Sequence, residues 1–115
     1  MAATLSIALV IREDPRLTHR PVEALRIALG LAAGENPMTV ILMGQAIHLL
    51  AEETDDIVDA EILEKYLPSF QHLAIPFIVL FQGPHPDIQD GFAITIGSKD
   101  SVQRTIAEAD RVLVF

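Results

Sequence analysis

Apolar residues along the chain alternate between short continuous runs and longer stripes of helical spacing. The five runs are Thr4 to Ile11, Met38 to Met43, Phe77 to Phe81, Phe92 to Ile96 and Val112 to Phe115. Continuous apolar runs of this length are typical of strands that are covered on both faces in a parallel sheet. The stripes between them predict helices, because their apolar residues recur every three or four positions.

Residues that favour helix termini bound the predicted helices. The helical segments are Pro21 to Gly34, a segment beginning near Gln45, about Asp59 to His72, and Asp100 to Ala109. Proline suits a first helical position, where its missing N–H is not needed, and glycine commonly ends a helix. Asp100 and Gln103 have the spacing of a capping box, which predicts that the last helix begins there.

Strands that alternate with helices form right-handed βαβ units, in which consecutive strands are parallel. The pattern therefore predicts a three-layer α/β/α sandwich around a mostly parallel five-stranded sheet. With 115 residues, the chain has the length of one domain, residues 1–115. The order of the strands in the sheet is left open.

The segment Met38 to Leu50 predicts where a site would lie. Its strand breaks at Gly44, where a residue without a side chain allows a tight turn. In open α/β sheets, ligands bind in the crevice at the carboxyl ends of the strands. Six residues are expected near that edge and are candidates for ligand binding: Arg12, Gly44, Gln45, Gln82, Gly83 and His85.

Two of these candidates have a specific chemical rationale. Arg12 follows the first strand, where a guanidinium would face an anionic ligand. His85 lies between Pro84 and Pro86, so a stiff loop presents its ring as a proton donor, a proton acceptor or a single ligand. The other interpretations are a mixed solvated loop for the arginine and a surface histidine in a rigid turn.

The net charge of −8 is concentrated in one segment of the chain. Seven acidic residues occur there without a basic residue among them: Glu52, Glu53, Asp55, Asp56, Asp59, Glu61 and Glu64. Nucleic acid is excluded as a partner, because phosphate neutralisation needs a basic patch. The acidic segment is either a solvated helix face with its loop or a docking surface for a basic partner.

Recognisable catalytic and cofactor motifs are missing from the chain. It has no cysteine, and therefore no disulfide, no thiolate metal site and no thiol nucleophile. His48 and Glu52 are four residues apart, but no second histidine stands at ligand spacing, so no metal is predicted. The glycines match neither nucleotide-binding pattern, so no cofactor is predicted. No catalytic residue can be named, and the sequence favours a protein that is not an enzyme.

Hydrophobic residues make up 50% of the chain, yet no apolar run approaches the roughly 18 residues of a membrane-spanning helix. The amino-terminal apolar stretch has no basic residue ahead of it and no cleavage pattern, so it predicts a strand and not an export signal. The absence of cysteine fits a cytoplasmic protein, with no membrane partner. The apolar content exceeds what a small monomer readily buries, which predicts self-association.

Four segments resemble the DsrE/DsrF-like family of small sulfur-relay proteins. They are His19 to Leu31, Met38 to Leu50, Leu73 to Gly83 (LAIPFIVLFQG) and the closing GSKDSVQRTIAEADRVLVF. The resemblance covers nearly the whole chain and rests on the residue patterns of its helices and strands more than on chemical motifs. It implies a five-stranded parallel sheet between helices and assembly into homo- or hetero-oligomers, often trimers or hexamers.

Family members that carry sulfur hold a persulfide on a cysteine in the region after the third strand. Here that region reads Phe81 to His85 (FQGPH) and contains no thiol. Gln82 cannot replace a thiolate. The resemblance therefore implies the family's fold and assembly without its persulfide step.

Two hypotheses about function remain. The first is a non-catalytic subunit that acts in protein assembly or partner binding, self-associated or joined to thiol-bearing proteins in sulfur trafficking. The second is a small-ligand-binding protein, or an unrecognised enzyme, that uses the crevice at the carboxyl ends of the strands.

Overall fold

Five strands, three α-helices and one 3₁₀ helix form the chain in the computed structural model, which describes residues 5–115. The strands are β1 (Ile7–Ile11), β2 (Met38–Met43), β3 (Phe77–Leu80), β4 (Ile94–Ile96) and β5 (Arg111–Val114). The α-helices are α1 (Arg20–Ala33), α2 (Ala60–Leu73) and α3 (Lys99–Glu108), and the 3₁₀ helix spans Gly44–Leu50. The strands lie in the order β4-β3-β2-β1-β5, and every neighbouring pair is parallel.

The helices cover both faces of the sheet, which confirms the predicted three-layer α/β/α sandwich. Helices α1 and α2 pack on one face through residues such as Leu25, Leu63 and Phe70. Helix α3 packs on the other face through Val102. Among the described residues, no helix is both long enough and apolar enough to cross a membrane.

The larger core lies between the sheet and helices α1 and α2. Leu9 pairs with Val40 and Val40 with Phe77, so side chains from three central strands point to the same face. The ring of Phe77 lies 5.4 Å from that of Phe70 and 5.9 Å from that of Phe92, the latter edge to face. Phe70 and Phe77 are fully buried, and their burial contributes to the hydrophobic stabilisation of the domain.

The core on the α3 face is much smaller. It consists of Ala8, Val10, Ile41, Leu80 and Val102, with a few partly buried neighbours. The turn between β4 and α3 lies close to both β3 and α3, since a Cβ atom added to Gly97 would lie 2.6 Å from Cγ2 of Ile78 in β3 and 3.1 Å from Oγ of Ser101 in α3.

Two of the predicted local features differ in the structure. The segment after Gly44 is a 3₁₀ helix of seven residues, a tighter coil that is normally used in short pieces. The predicted capping box of Asp100 and Gln103 is wrong. Helix α3 begins one residue earlier, because the hydroxyl of Ser98 accepts from Ser101 N and the Ser101 hydroxyl accepts from Ser98 N.

Three of the apolar runs are longer than the strands they contain. The first strand begins at Ile7, and Thr4, where the run starts, lies outside the described residues. Strand β4 starts only at Ile94, because Phe92 packs against the core ring of Phe77 instead of pairing. Strand β3 ends at Leu80, one residue before the run ends.

Candidate functional site

A loop or short helix follows the carboxyl end of each of the strands β1, β2 and β3, and these three segments form one surface. After β2 the chain turns at Gly44, whose φ of +58° is in the left-handed region that favours glycine. A Cβ atom there would meet nothing within 4 Å, so the turn and not the available space requires glycine. This turn starts the 3₁₀ helix, which carries Gln45 and His48 along the edge of the sheet.

A chain of hydrogen bonds joins the loop after β1 to this 3₁₀ helix. The guanidinium of Arg16 donates to both carboxylate oxygens of Asp14, at 3.0 and 2.9 Å, and from Nη2 to Gln45 Oε1 at 3.0 Å. The Nε2 atom of His48 lies 3.2 Å from the same Gln45 oxygen. Because that oxygen only accepts, His48 carries its proton on Nε2 here.

Two titratable groups in this chain have shifted pKa values. The hydrogen bond from the Arg16 side chain lowers the pKa of Asp14. Partial burial, followed by the nearby charge of Arg16, lowers the pKa of His48 from its ordinary 6.5. At neutral pH the site therefore contains an ionised Asp14 and a neutral His48 imidazole.

Next to His48 lies a cleft of about 500 Å³ lined mostly by carboxylates. Its lining residues are His48, Ala51, Glu52, Glu53, Asp55, Asp56, Pro86 and Asp87. The three ion pairs among the described residues, Asp14–Arg16, Glu13–Arg20 and Glu23–Arg26, involve none of these acids. We refer to this feature as the acidic cleft. Its electrostatic character favours cationic groups.

Backbone hydrogen bonds hold both walls of the acidic cleft in place. Glu52 N donates to Asp87 O at 2.9 Å, and Gln89 N donates to Leu50 O at 2.9 Å. The Gln89 side chain adds a bond from Nε2 to Ala51 O at 2.8 Å. The cleft is thus formed where the segment after the 3₁₀ helix pairs with the loop after β3.

Exposed apolar side chains lie at the same edge of the sheet. Leu17, in the loop after β1, is 81% exposed, and Ile96, at the carboxyl end of β4, is 69% exposed. The loop of Leu17 is fixed to the acidic segment, because Val58 N donates to Pro15 O at 2.9 Å. The edge therefore presents both charged and apolar side chains to solvent.

The six residues predicted to bind a ligand are divided between several places on this edge, and none of them lines the acidic cleft. Gly44 forms the turn after β2, and Gln45 is the acceptor shared by Arg16 and His48. Arg12 is exposed beside β5, where its backbone N donates to Phe115 O at 2.7 Å.

The other three candidates belong to the exposed loop after β3. Gln82 and Gly83 are exposed, and Gly83 has a φ of +119°. The ring of His85 stacks on Phe81 with a centroid distance of 3.8 Å, and its Nδ1 lies 2.9 Å from Pro86 O. A ring held in this way is presented to solvent in one orientation.

Sequence reasoning did not assign the carboxylates and His48 to a common cleft. The density of acids between Glu52 and Asp56 was the available signal, and it allowed a docking surface as one of two interpretations. Asp87, from a distant part of the chain, joins them only through the pairing of Ala51 with Ile88. Within residues 5–115, no group of three His, Asp or Glu side chains has the arrangement of a metal site.

Comparison with solved structures finds the same fold in the YchN protein of Escherichia coli. The two structures superpose with a TM-score of 0.76, over 97% of this chain and 100% of that one, at 18% sequence identity. No family model matches the chain, and no curated protein matches its sequence. The chain thus shares the fold of YchN, which agrees with the predicted DsrE/F-like architecture, and membership of the family is a proposal.

Proposed function

We propose that this protein is a non-catalytic, partner-binding subunit that uses the acidic cleft to dock a basic segment of another protein. The observation that carries the proposal is the cleft itself. Five carboxylates line it, and none of them forms an ion pair with a basic side chain among the described residues. Lys or Arg side chains of a partner would supply the missing positive charge and speed association.

The exposed apolar side chains support a protein partner over a simple ion. Leu17 and Ile96 lie at the same edge as the cleft and are largely exposed. Binding sites on proteins commonly combine buried apolar contacts with a polar rim. Leu17 would supply such a contact beside the carboxylates.

The lack of cysteine supports a non-catalytic role if the chain is a member of the DsrE/DsrF-like family. The loop after β3 offers Gln82 and the stacked pair of Phe81 and His85, and no thiol. Under this proposal, thiol-bearing sulfur-relay proteins are the candidate partners, and the subunit contributes binding and assembly, as a trimer or hexamer, in the cytoplasm.

Affinity capture from native extract with matched charge variants tests the docking site. Asp55→Asn with Asp56→Asn removes two charges from the cleft. Glu61→Gln with Glu64→Gln removes two charges from the same acidic segment, outside the cleft lining. We expect the first pair to lose most of the captured partner and the second pair to retain it.

Leu17→Asp tests the apolar part of the surface in the same assay. We expect reduced capture, since the substitution removes the apolar contact and leaves the carboxylates in place. Equal capture by the wild type and every variant would contradict the proposal. Recovery of sulfurtransferase components would support the specific link to sulfur trafficking.

A small-ligand-binding protein or an unrecognised enzyme is the second candidate, and the hydrogen-bonded chain from Asp14 to His48 favours it. Such a chain orients a neutral imidazole at the wall of a cleft, an arrangement suited to proton transfer. The volume of about 500 Å³ is in the range of small-molecule sites. Native mass spectrometry that finds a tightly bound metabolite and no companion protein would favour this function over the first.

A further inference from the structure

Two valines are exposed on β5, which is the outermost strand at one edge of the sheet. Val112 is 38% exposed and Val114 is 48% exposed. The register pairs them with Ala8 and Val10, so both valines point to the α3 face of the sheet. Helix α3 packs against β3 and leaves these valines partly uncovered.

The backbone groups of the same two valines point away from the sheet. Arg111 N donates to Ser6 O, Phe115 N donates to Val10 O, and Phe115 O accepts from Arg12 N. Because inward and outward groups alternate along a strand, the N–H and C=O groups of Val112 and Val114 face outward. No other strand in residues 5–115 pairs with this edge.

We propose that β5 is a self-association edge, at which two copies of this chain pair their β5 strands antiparallel about a two-fold axis at Leu113. Val112 of each copy then lies opposite Val114 of the other, and each such pair exchanges two backbone hydrogen bonds. The four valine side chains form one apolar cluster on the α3 face. The sheet becomes continuous across ten strands.

The backbone geometry selects this register over its neighbours. An axis at Val112 would place Val114 opposite Asp110, whose N–H already donates to Ser6 O at 2.9 Å. An axis between two residues would place a residue whose backbone groups face outward opposite one whose groups face its own sheet. Such a pair cannot exchange the hydrogen bonds of an antiparallel ladder. Only the axis at Leu113 uses all four outward groups of Val112 and Val114.

Charges at the two ends of β5 are complementary in this arrangement. Exposed Glu108 and Asp110, with Arg111, give the amino end a net negative charge. At the carboxyl end, Arg20 pairs with Glu13 at 2.8 Å, whereas Arg12 forms no ion pair among the described residues. Antiparallel pairing brings the acidic side chains of one copy toward the unpaired Arg12 of the other.

The acidic cleft lies away from the proposed β5 contact. Its walls belong to the 3₁₀ helix, the segment after it and the loop after β3, and strands β2 and β1 separate β3 from β5. The inference rests on the self-association in the proposed function and specifies one of its contacts, a two-fold contact that a hexamer can contain and a closed trimer cannot. Docking of a basic partner at the cleft is tested separately by the cleft variants. The docking proposal and the β5 proposal can therefore be contradicted independently of each other.

Single cysteines in this cysteine-free chain test the register. Across the proposed axis the two Leu113 Cα atoms lie about 4.5 Å apart, within the roughly 4.4–6.8 Å that a disulfide spans. The two Val112 Cα atoms are about 8 Å apart, from the rise along a strand and the spacing between strands. On mild oxidation, we expect Leu113→Cys to form disulfide dimers and Val112→Cys to stay monomeric.

A mixture of Val112→Cys and Val114→Cys chains is expected to cross-link, since these positions are opposite each other. Thr95→Cys, in the middle of β4 at the other edge, serves as the control and is expected to remain monomeric. Val114→Pro removes an outward N–H that makes no bond within the monomer. We expect it to abolish the concentration-dependent association through β5 that we predict for the wild type in sedimentation, with cooperative thermal unfolding retained.

The proposal is overturned if the wild type sediments as a monomer at every concentration and Leu113→Cys does not cross-link. It is also overturned if Thr95→Cys or Val112→Cys cross-links as fast as Leu113→Cys, or if the Val114→Pro chain dimerises as the wild type does.

Discussion

The core beneath helices α1 and α2 and the acidic cleft at the carboxyl edge are built from different kinds of residue. The core contains buried aliphatic side chains and the paired rings of Phe70 and Phe77. The cleft contains charged side chains on loops that are fixed by backbone hydrogen bonds. The residues that stabilise the fold are therefore separate from those of the proposed docking site, so each set can be changed without the other.

The largest effect is expected for Phe77→Ala in the core. This ring is fully buried between Phe70 and Phe92, and its loss removes apolar burial and leaves a cavity. We expect the free energy of unfolding to fall by about 3–5 kcal/mol. Ile96→Ala, on the neighbouring strand but 69% exposed, is the matched control, with an expected change within about 0.5 kcal/mol.

Chemical denaturation of both variants measures this difference. Equal losses from the buried and the exposed position would mean that the larger core does not hold the fold together as described.

A smaller effect is expected where β4 meets helix α3. Gly97→Ala places a Cβ atom 2.6 Å from Cγ2 of Ile78 and 3.1 Å from Oγ of Ser101. Relief of this contact requires a shift of packed atoms, with an expected cost of about 1–3 kcal/mol. Gly30→Ala is the control of opposite sign. Its position inside α1 has free space, and alanine is the better helix former by about 0.5–1 kcal/mol.

Thermal unfolding of the two glycine variants gives the test. A stabilised Gly97→Ala protein would show that the chain at Gly97 does not lie close to Ile78 and Ser101.

The architecture could be predicted from sequence because it depends on local patterns. Runs such as Met38 to Met43 are apolar throughout, as a doubly covered strand requires, and the helices between them have clear stripes. Details governed by single side chains could not be predicted. Phe92 leaves its strand for the core, and Ser98 caps α3 in place of Asp100.

The candidate site was predicted less completely than the fold. The strand ends fixed its general location, and Gln45 takes part in a hydrogen-bond chain there. The cleft depends on Asp87 meeting the acidic segment through the pairing of Ala51 with Ile88. Contacts between segments more than thirty residues apart leave no periodic signal in a sequence.

The smallest expected effect on stability is the pH dependence of the free energy of unfolding that comes from the hydrogen-bonded chain between Asp14 and His48. The lowered pKa of His48 means that the folded state binds fewer protons than the unfolded state below pH 6.5. Stability from this group is therefore present above pH 6.5 and is lost as the pH falls through the folded pKa. His48→Gln is expected to flatten this part of the stability profile.

Asp14 acts in the same direction at lower pH. Its pKa is below the ordinary 3.8, so its contribution is present above that value and is lost as the pH falls through the folded pKa. Denaturant unfolding of the wild type, His48→Gln and Asp14→Asn proteins between pH 3 and 8 measures both groups. A His48→Gln protein with the wild-type slope near pH 6 would contradict the assigned environment of the ring.

Recognition of a basic segment by the acidic cleft is tested most directly by the NMR signals of the histidine rings during titration with a capped tetralysine peptide. Of the four histidines, only His48 lines the cleft, and His19, His72 and His85 serve as internal references. We expect a saturable shift of the His48 signals at low salt, weakened by salt screening and absent in the protein with Asp55→Asn and Asp56→Asn. Unchanged His48 signals, or equal shifts of all four rings, would contradict the account.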